Sequence, residues 1–234
     1  MWKYIASIGL LFVSLSAFAQ QDTTAEQSTV RKIRPDYKPS ALRGGIDLYG
    51  LGNSLATNGI QRYEVQADVD FHRMFLVGEY GIQSSKIDEP EFNYESNGSF
   101  WRVGVDWDLM PYHPENSTIY MGLRYARARF NESLTYQYTD SIWGDVDLSR
   151  SFDKRSSRWF EVVTGMKVRV WQGFFIGYLI RYKIFRELNN VPSFDSYRVP
   201  GYGLGRKNTN LSFGFYLHYR FAFRYKPVRV KPEK

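Results

Sequence analysis

Histidines beside hydroxyl and carboxyl groups are the first residues to consider, because a His, a nucleophilic Ser and a carboxylate can together catalyse acyl transfer. The chain has three histidines, His72, His113 and His218. The first two fall in predicted turns, the third falls on a predicted strand, and none stands in a motif that pairs it with a nucleophile. We therefore predict no catalytic residues and no enzyme, with a lipid-modifying enzyme as the alternative.

Two other segments carry groups that could bind a phosphate or a metal ion. The glycine-rich stretch PGYGLGRK, residues 200–207, lacks the spacing of a phosphate-binding P-loop. Asp140, Asp145 and Asp147 offer oxygen ligands for Ca²⁺, but not at the spacing of an EF-hand loop. The chain has no cysteine, which excludes disulfides, a thiol nucleophile and a thiolate metal site. We predict no cofactor and no metal site.

The first 20 residues have the organisation of an export signal. Lys3 precedes an apolar run from Ile5 to Leu15, and an A-x-A cleavage signal ends at Ala19. We predict a signal peptide over 1–20, a periplasmic linker over 21–40 and, after the last strand, a basic periplasmic tail over 227–234. The net charge of +7 would suit nucleic acid, but an exported protein does not meet it, so we expect no nucleic-acid partner.

Segments with a period of two recur from residue 42 to residue 225 and predict β-strands. There are eight; the first reaches Gly50 and the last is LSFGFYLHYRFAFRY, residues 211–225. Connections after the second, fourth and sixth are short, whereas those after the third, fifth and seventh span about residues 84–99, 131–156 and 187–208. This alternation is typical of outer-membrane barrels. It predicts an all-β, eight-stranded antiparallel up-and-down transmembrane β-barrel over residues 41–226, with both termini in the periplasm.

The placement of aromatic residues separates a membrane barrel from a soluble one, which would have the same alternation with its faces inverted. Aromatic rings stand at both ends of the aliphatic runs, as expected where a strand crosses two water interfaces. The predicted aromatic girdle consists of Tyr63, Phe71, Trp101, Trp107, Phe221, Phe223 and Tyr225. We therefore predict that the exported protein lies in the bacterial outer membrane.

The opposite face of the strands carries charges and is predicted to line the lumen. Strands one to four supply mainly acidic residues and strands five to eight mainly basic ones, although Arg43, Arg62, Arg102 and Glu161 break this segregation. The predicted network consists of Asp47, Glu64, Asp68, Asp70, Glu79, Asp106, Asp108, Arg124, Lys167, Arg169, Arg181, Lys183, Arg220 and Arg224. Because charges inside a barrel are costly unless paired, we expect the network to close the lumen; a narrow pore is the alternative.

Arg127 and Arg129 continue the lipid-facing side of the fifth strand toward the predicted outer leaflet. There they would meet lipopolysaccharide phosphates, for which arginine is well suited. We expect outer-membrane lipid and lipopolysaccharide as partners, and an outer-membrane or periplasmic protein as a further partner. The predicted role is a structural or accessory membrane subunit.

The order of the segments GGIDLYGLG, RYEVQADVDF, GSFWRVGVDWDLM and IYMGLRYARARF resembles an uncharacterised family of small outer-membrane β-barrel proteins from Bacteroidetes-type bacteria, a domain of unknown function. The resemblance covers about residues 40–225. It implies a fold and a location, and it brings no catalytic residues.

Overall fold

The computed structural model describes residues 38–56, 59–89, 92–110, 117–140, 144–188 and 196–224. Within these ranges, the side chains of 137–140, 144–147 and 185 are not described. The predicted signal peptide, most of the predicted linker and the predicted basic tail lie outside the described residues.

Eight long strands form a closed antiparallel barrel, in which each strand pairs with its neighbour along the chain and the last pairs with the first. These strands are β1 Ala41–Asp47, β2 Ile60–Phe71, β3 Met74–Glu89, β4 Phe92–Asp108, β5 Thr118–Asp140, β6 Gly144–Trp171, β7 Phe174–Leu188 and β10 Asn210–Ala222. A helix, α1 Leu48–Ala56, follows β1, and a separate two-stranded sheet, β8 Arg198–Val199 and β9 Gly203–Leu204, precedes β10. The predicted eight-stranded up-and-down barrel is confirmed.

The wall of the barrel has apolar side chains outside and charged side chains inside. Val65 and Leu123 point outward and are 51% and 56% exposed, whereas Asp106 and Arg181 point inward and are fully buried. A barrel dissolved in water would need the opposite arrangement, because apolar burial is what stabilises a soluble fold. The alternation along each strand therefore fits a barrel whose outer face meets lipid.

The first strand is shorter than its sequence pattern predicts. It ends at Asp47, and α1 begins where Leu48 and Gly50 were expected to continue the strand. The Asp47 carboxylate accepts the backbone N–H of Tyr49 at 3.1 Å, which is a helix-capping contact. Gly50 lies so close to the β2 backbone that an added Cβ would be 2.8 Å from the carbonyl of Arg62. Among the described helical residues, no helix is long and apolar enough to cross a membrane.

Strands β3 to β6 are longer than predicted, because most of residues 84–99 and 131–156 is strand. In this part of the wall polar residues such as Ser85 and Ser96 occupy inward positions, so the apolar alternation fades while the backbone pairing continues. The barrel thus has an extended end formed by β3–β6, and a turn end where residues 72–73 and 172–173 connect strands. A register shift between β5 and β6 at Phe130 and Glu132 accompanies a left-handed Lys154, with φ of 57°.

Candidate functional site

Arg102, on β4, donates hydrogen bonds to three carboxylates of the lumen. Its Nη1 donates to Glu64 at 2.7 Å and to Glu79 at 2.9 Å, and its Nε donates to Glu161 at 3.0 Å. The guanidinium also lies over the Phe100 ring, 4.5 Å from its centroid. One buried cation therefore ties together carboxylates from three other strands, β2, β3 and β6.

Two further arginines complete this central cluster. Arg181 donates to Glu64 at 2.9 Å, to Glu79 at 3.0 Å and to the Tyr216 hydroxyl at 2.6 Å. Arg124 makes a bidentate contact with Asp106, in which Nη2 donates at 3.0 Å. The Tyr216 hydroxyl in turn donates to Glu64. All these side chains are buried, so each charge is neutralised by hydrogen-bonded opposite charges rather than by water.

A second cluster lies nearer the turn end of the barrel. Asp68 accepts from Lys167 Nζ at 2.6 Å and from Arg43 Nε at 2.7 Å. The Lys167 ammonium also lies 5.0 Å from the centroid of the Tyr120 ring, within cation–π range. His218 is buried close by and stacks on Tyr216, so it packs among lumen groups.

Several residues of the predicted charge network make their contacts at the ends of the barrel strands and not in the two clusters. Asp70 accepts the backbone N–H groups of Ser40 at 2.7 Å and Ala41 at 2.8 Å, and Asp108 accepts that of Met110 at 3.0 Å. Four more predicted residues lie outside the two clusters: Asp47, Arg169, Arg220 and Arg224. Asp47 pairs with Arg62 at 2.6 Å beside α1. Near the turn end, Arg169 and Arg224 are exposed and Arg220 is half-buried.

The expected pairing of an acidic half with a basic half describes part of the lumen: Lys167, Arg124 and Arg181 pair with Asp68, Asp106 and Glu64 in this way. Other ion pairs do not follow it. Arg102 comes from the acidic half and pairs with Glu64 and Glu79 of that same half, and Glu161 comes from the basic half. Arg43 likewise pairs within its own half. The residues that break the segregation in the sequence are therefore central to the ion pairs. Their inward parity was visible in the sequence, but their partners were not.

Residues 196–207, which we call the cover loop, contact the central cluster from the extended end. The carbonyl oxygen of Gly201 accepts from Arg102 Nη2 at 3.0 Å and from Lys183 Nζ at 2.8 Å. The Gly201 N–H donates to the Gln83 side chain at 3.1 Å. The tip of the loop thus accepts hydrogen bonds from two lumen donors, Arg102 Nη2 and Lys183 Nζ, that donate to none of the described carboxylates.

The cover loop also packs into the barrel through apolar side chains. Tyr202 meets Trp159 edge to face, with ring centroids 5.4 Å apart. Gly201 has φ of +73°, and an added Cβ would lie 2.5 Å from the Phe100 ring. The buried apolar cluster consists of Phe100, Ala126, Ala128, Phe130, Trp159, Leu188, Val199 and Tyr202. The glycines of this stretch therefore permit close packing and a left-handed backbone.

Polar contacts above this apolar cluster hold the base of the cover loop. Glu132 accepts from Arg155, from the Tyr94 hydroxyl at 3.0 Å and from Ser196 at 2.9 Å. Tyr94 also accepts the backbone N–H of Arg198 at 3.1 Å. Burial and the neighbouring Glu132 carboxylate raise the pKa of Tyr94, so this hydroxyl stays protonated and available as a donor.

The predicted girdle residues lie on the outer face of the wall. Tyr63, Trp101, Trp107, Phe221 and Phe223 are exposed, and Phe71 is half-buried. Tyr225 lies outside the described residues. The girdle also continues around the barrel through Tyr125 and Phe160, whose ring centroids are 5.5 Å apart. These two residues were not among the predicted girdle residues.

Arg127 and Arg129 lie on the outer face of β5. Arg127 is paired with Trp101 of β4, and Arg129 lies two residues further toward the extended end. Arg127 is half-buried and Arg129 is exposed. With Lys154 they line a surface pocket of about 480 Å³ whose other lining residues carry no charge. Among the described residues no group of His, Asp and Glu side chains could hold a metal ion.

A model of the family described as a domain of unknown function, DUF6048, matches residues 1–226. Comparison with curated proteins gives no match. Among solved structures, the chain is similar to the N-terminal β-barrel domain of Pseudomonas aeruginosa OprF, at 8% identity and a TM-score of 0.35, covering 79% of this chain and 100% of that one.

It is also similar to Ail, the attachment invasion locus protein of Yersinia pestis, at 9% identity and a TM-score of 0.38, covering 78% of this chain and 97% of that one. A second Ail structure, in complex with the heparin analogue sucrose octasulfate, has 11% identity, a TM-score of 0.37 and the same coverage. At these identities the likeness concerns the fold alone.

Proposed function

This chain belongs to the DUF6048 family, a domain of unknown function, and we propose that it is a non-enzymatic outer-membrane β-barrel protein with a closed lumen, acting as a structural or accessory membrane subunit. The observation that carries this proposal is the filling of the barrel. Paired charges occupy the centre, and the cover loop packs over them through Tyr202 and Gly201. An eight-stranded barrel is just wide enough for side chains to fill it.

An outer-membrane location is supported by the outer face. Aliphatic side chains such as Val103 and Leu123 are exposed between the aromatic residues Trp101 and Trp107. Exposing so many large apolar groups to water would be unfavourable for an isolated soluble domain. We therefore expect the turn end and both termini in the periplasm, and the extended end with the cover loop outside the cell.

Single-channel recording in planar bilayers tests the closed lumen. The purified full chain should give no stable conductance steps, because water and ions would have to displace the buried pairs around Arg102. A matched variant with residues 198–204 replaced by a Gly-Ser linker of the same length should show at most brief, small openings, since the central cluster remains. Stable conductance of the unaltered chain would overturn the proposal and favour a narrow pore.

The non-enzymatic role is tested by lipid analysis and by pull-down. Lipid A and phospholipids from cells with and without the gene should have identical masses. A mild-detergent pull-down of the tagged protein should recover a stoichiometric outer-membrane or periplasmic partner if it is an accessory subunit. Recovery of the protein alone would favour a structural role, and a changed lipid mass would favour the lipid-modifying alternative.

The pocket at Arg127 and Arg129 supports a contact with lipopolysaccharide phosphates. It begins level with the girdle residue Trp101 and reaches toward the extended end, and it adds the Lys154 ammonium to the two guanidinium groups. Arginine and lysine are the usual partners of phosphate oxygens. Arg127→Gln/Arg129→Gln should weaken binding of lipopolysaccharide to the purified barrel, whereas Arg150→Gln, an exposed cation of β6 away from the pocket, should not. Equal binding by all three proteins would contradict the contact.

A further inference from the structure

The barrel wall is incomplete at one place in its outer half. Strand β1 pairs with β10 only from Ala41 to Asp47, and with β2 only from Leu42 to Ile46. Beyond Asp47, β10 continues to Asn210 and pairs there with β7, while β2 continues to Ile60 and pairs there with β3. Within the described residues no strand fills the space between β10 and β2, and α1 lies there instead.

Helix α1 is fastened to one side of this gap. The Ser54 hydroxyl accepts the backbone N–H of Arg62 at 2.7 Å and donates to the carbonyl of Gly50 at 2.7 Å, which ties the helix to β2. The Arg62 guanidinium pairs with Asp47 at the start of the helix and faces the Tyr49 ring, 5.8 Å away. In the described part of the chain no hydrogen bond joins α1 to β10. The seam between α1 and β10 is therefore the open side.

Two cavities meet at this seam, and we call them together the lateral crevice. The inner one, of about 270 Å³, is lined by residues that include Arg62, Lys183, Arg198 and Ser212. The outer one, of about 290 Å³, lies on the lipid-facing side and is lined by Tyr49, Tyr178, Phe213, Gly214 and Phe215. Tyr49 and Phe213 line both, so the inner chamber and the outer groove adjoin.

The inner chamber has donors in excess of acceptors. Its lining includes three cationic side chains and no carboxylate. Lys183 donates to the carbonyl oxygens of Gly201 and Tyr202, and among the described residues it forms no ion pair. The buried Arg62 Nε, Arg198 Nε and Ser212 Oγ have no hydrogen-bond partner in the described part of the molecule. Buried polar atoms are normally satisfied, so unsatisfied ones at a cavity point to a missing acceptor.

We propose that the lateral crevice binds one anionic lipid from the outer leaflet, with its phosphate in the inner chamber and an acyl chain in the outer groove. Phosphate oxygens would accept from Arg198, Lys183 and Ser212, and the aromatic groove would cover the chain. This proposal rests on the proposed location in the outer membrane. It adds a binding site that enters through the wall, separate from the filled centre of the lumen.

Photolabelling of the full chain in nanodiscs tests the proposal. The probe is a phosphatidylglycerol with a diazirine on one acyl chain, and the neutral comparison is a diacylglycerol with the same diazirine. The anionic probe should label the peptides that carry Tyr49 and Phe213–Phe215 at least tenfold more strongly than the neutral probe does. A lipid-facing position across the barrel, Leu123, should be labelled equally by both probes.

The charge of Arg198 provides a matched pair of variants. Arg198→Met should reduce anionic labelling of the crevice about tenfold, as expected for loss of one charge-assisted hydrogen bond. Arg206→Met, which removes an exposed cation of the same connection, should leave it unchanged. An equal effect of the two substitutions would overturn the assignment of the phosphate to the inner chamber.

The remaining outcomes separate this proposal from its premise. Labelling spread evenly over all lipid-facing strands would overturn the crevice while leaving the membrane location intact. Absence of labelling even at Leu123 would refute the membrane location itself. If inorganic phosphate abolished the preference for the anionic probe, the chamber would take a free anion, and the lipid assignment would be wrong.

Discussion

Replacement of Arg102 by methionine should destabilise the barrel by about 3–5 kcal/mol, the usual cost of leaving a buried charge uncompensated. The central cluster holds the carboxylates of Glu64, Glu79, Asp106 and Glu161 and the guanidinium groups of Arg102, Arg124 and Arg181, all of them buried. Arg102 contacts three of those carboxylates and the cover loop. Methionine retains much of the packing volume, so the cost would come mainly from the charge.

The charge balance itself provides the second part of the experiment. After Arg102→Met, Glu64 and Glu79 keep their hydrogen bonds to Arg181. Glu161 keeps the Trp159 N–H at 2.7 Å and, among the described cations, the more distant Arg181 Nε at 3.6 Å. Adding Glu161→Gln removes one negative charge and returns the net charge of the central cluster to its value in the unaltered chain. The double variant should therefore be more stable than Arg102→Met alone.

The assay is equilibrium unfolding in urea, followed by tryptophan fluorescence in detergent micelles. Arg158→Met serves as the control, because the Arg158–Glu187 pair is on the surface, with side chains 56% and 59% exposed, and its loss should leave the midpoint near that of the unaltered chain. If Arg102→Met shifted the midpoint no more than Arg158→Met, or if the second substitution added further destabilisation, the reasoning from charge balance would be refuted.

Other consequences concern packing and protonation. Gly201→Val should detach the cover loop, because the new Cβ would lie 2.5 Å from the Phe100 ring at a residue whose φ is +73°. Limited proteolysis at residues 196–207 should then be faster than in the unaltered chain. Gly52→Val is the control, because a Cβ there meets no atom within 4 Å, and it should leave the cleavage rate unchanged. Gly45→Val should lower the unfolding midpoint, since its Cβ would lie 2.1 Å from the His218 ring; an unchanged midpoint would contradict that contact. The pKa of Tyr94 is raised in the folded chain above the value near 10 of a tyrosine in the unfolded chain. The free energy of unfolding should therefore stay constant with respect to this group below pH 10 and fall as the pH rises above it, because the Tyr94 hydroxyl then ionises readily only in the unfolded chain. Tyr94→Phe should reduce this alkaline loss of stability in urea unfolding at pH 9 and pH 11, and an unaltered pH dependence would count against the burial of that hydroxyl.

The period-two alternation, together with the aromatic placement, predicted the closed barrel and most of the side chains that point inward, although Arg169 and Arg224 are exposed near the turn end. A strand places successive side chains on opposite faces, so a short stretch of sequence is enough to separate its two sets of side chains. Residues such as Asp68 and Arg181 could be assigned to the lumen in this way. The predicted family is confirmed by the DUF6048 match, and a Bacteroidetes origin stays a prediction.

Partners across the lumen could not be read from the sequence, because they depend on the stagger between strands and on the reach of each side chain. Arg102 meets Glu161 across 59 positions of the chain, and Tyr216 meets Glu64 across 152. The lengths of β5 and β6 were also missed, since backbone pairing persists where the apolar pattern has ended. Whether a side chain points inward or outward does not show which residue it meets across the lumen, nor where its strand ends.

The sequence by itself determined the alternating strands, the apolar outer face and the charged inner face, because these follow from the pleat and from the residue types. Only the tertiary structure decided that β1 stops at Asp47, that α1 lies in the resulting gap and that the cover loop packs onto Arg102. Each of these depends on contacts between segments far apart in the chain, such as Gly201 with Gln83, whose energy exists only once the barrel has closed.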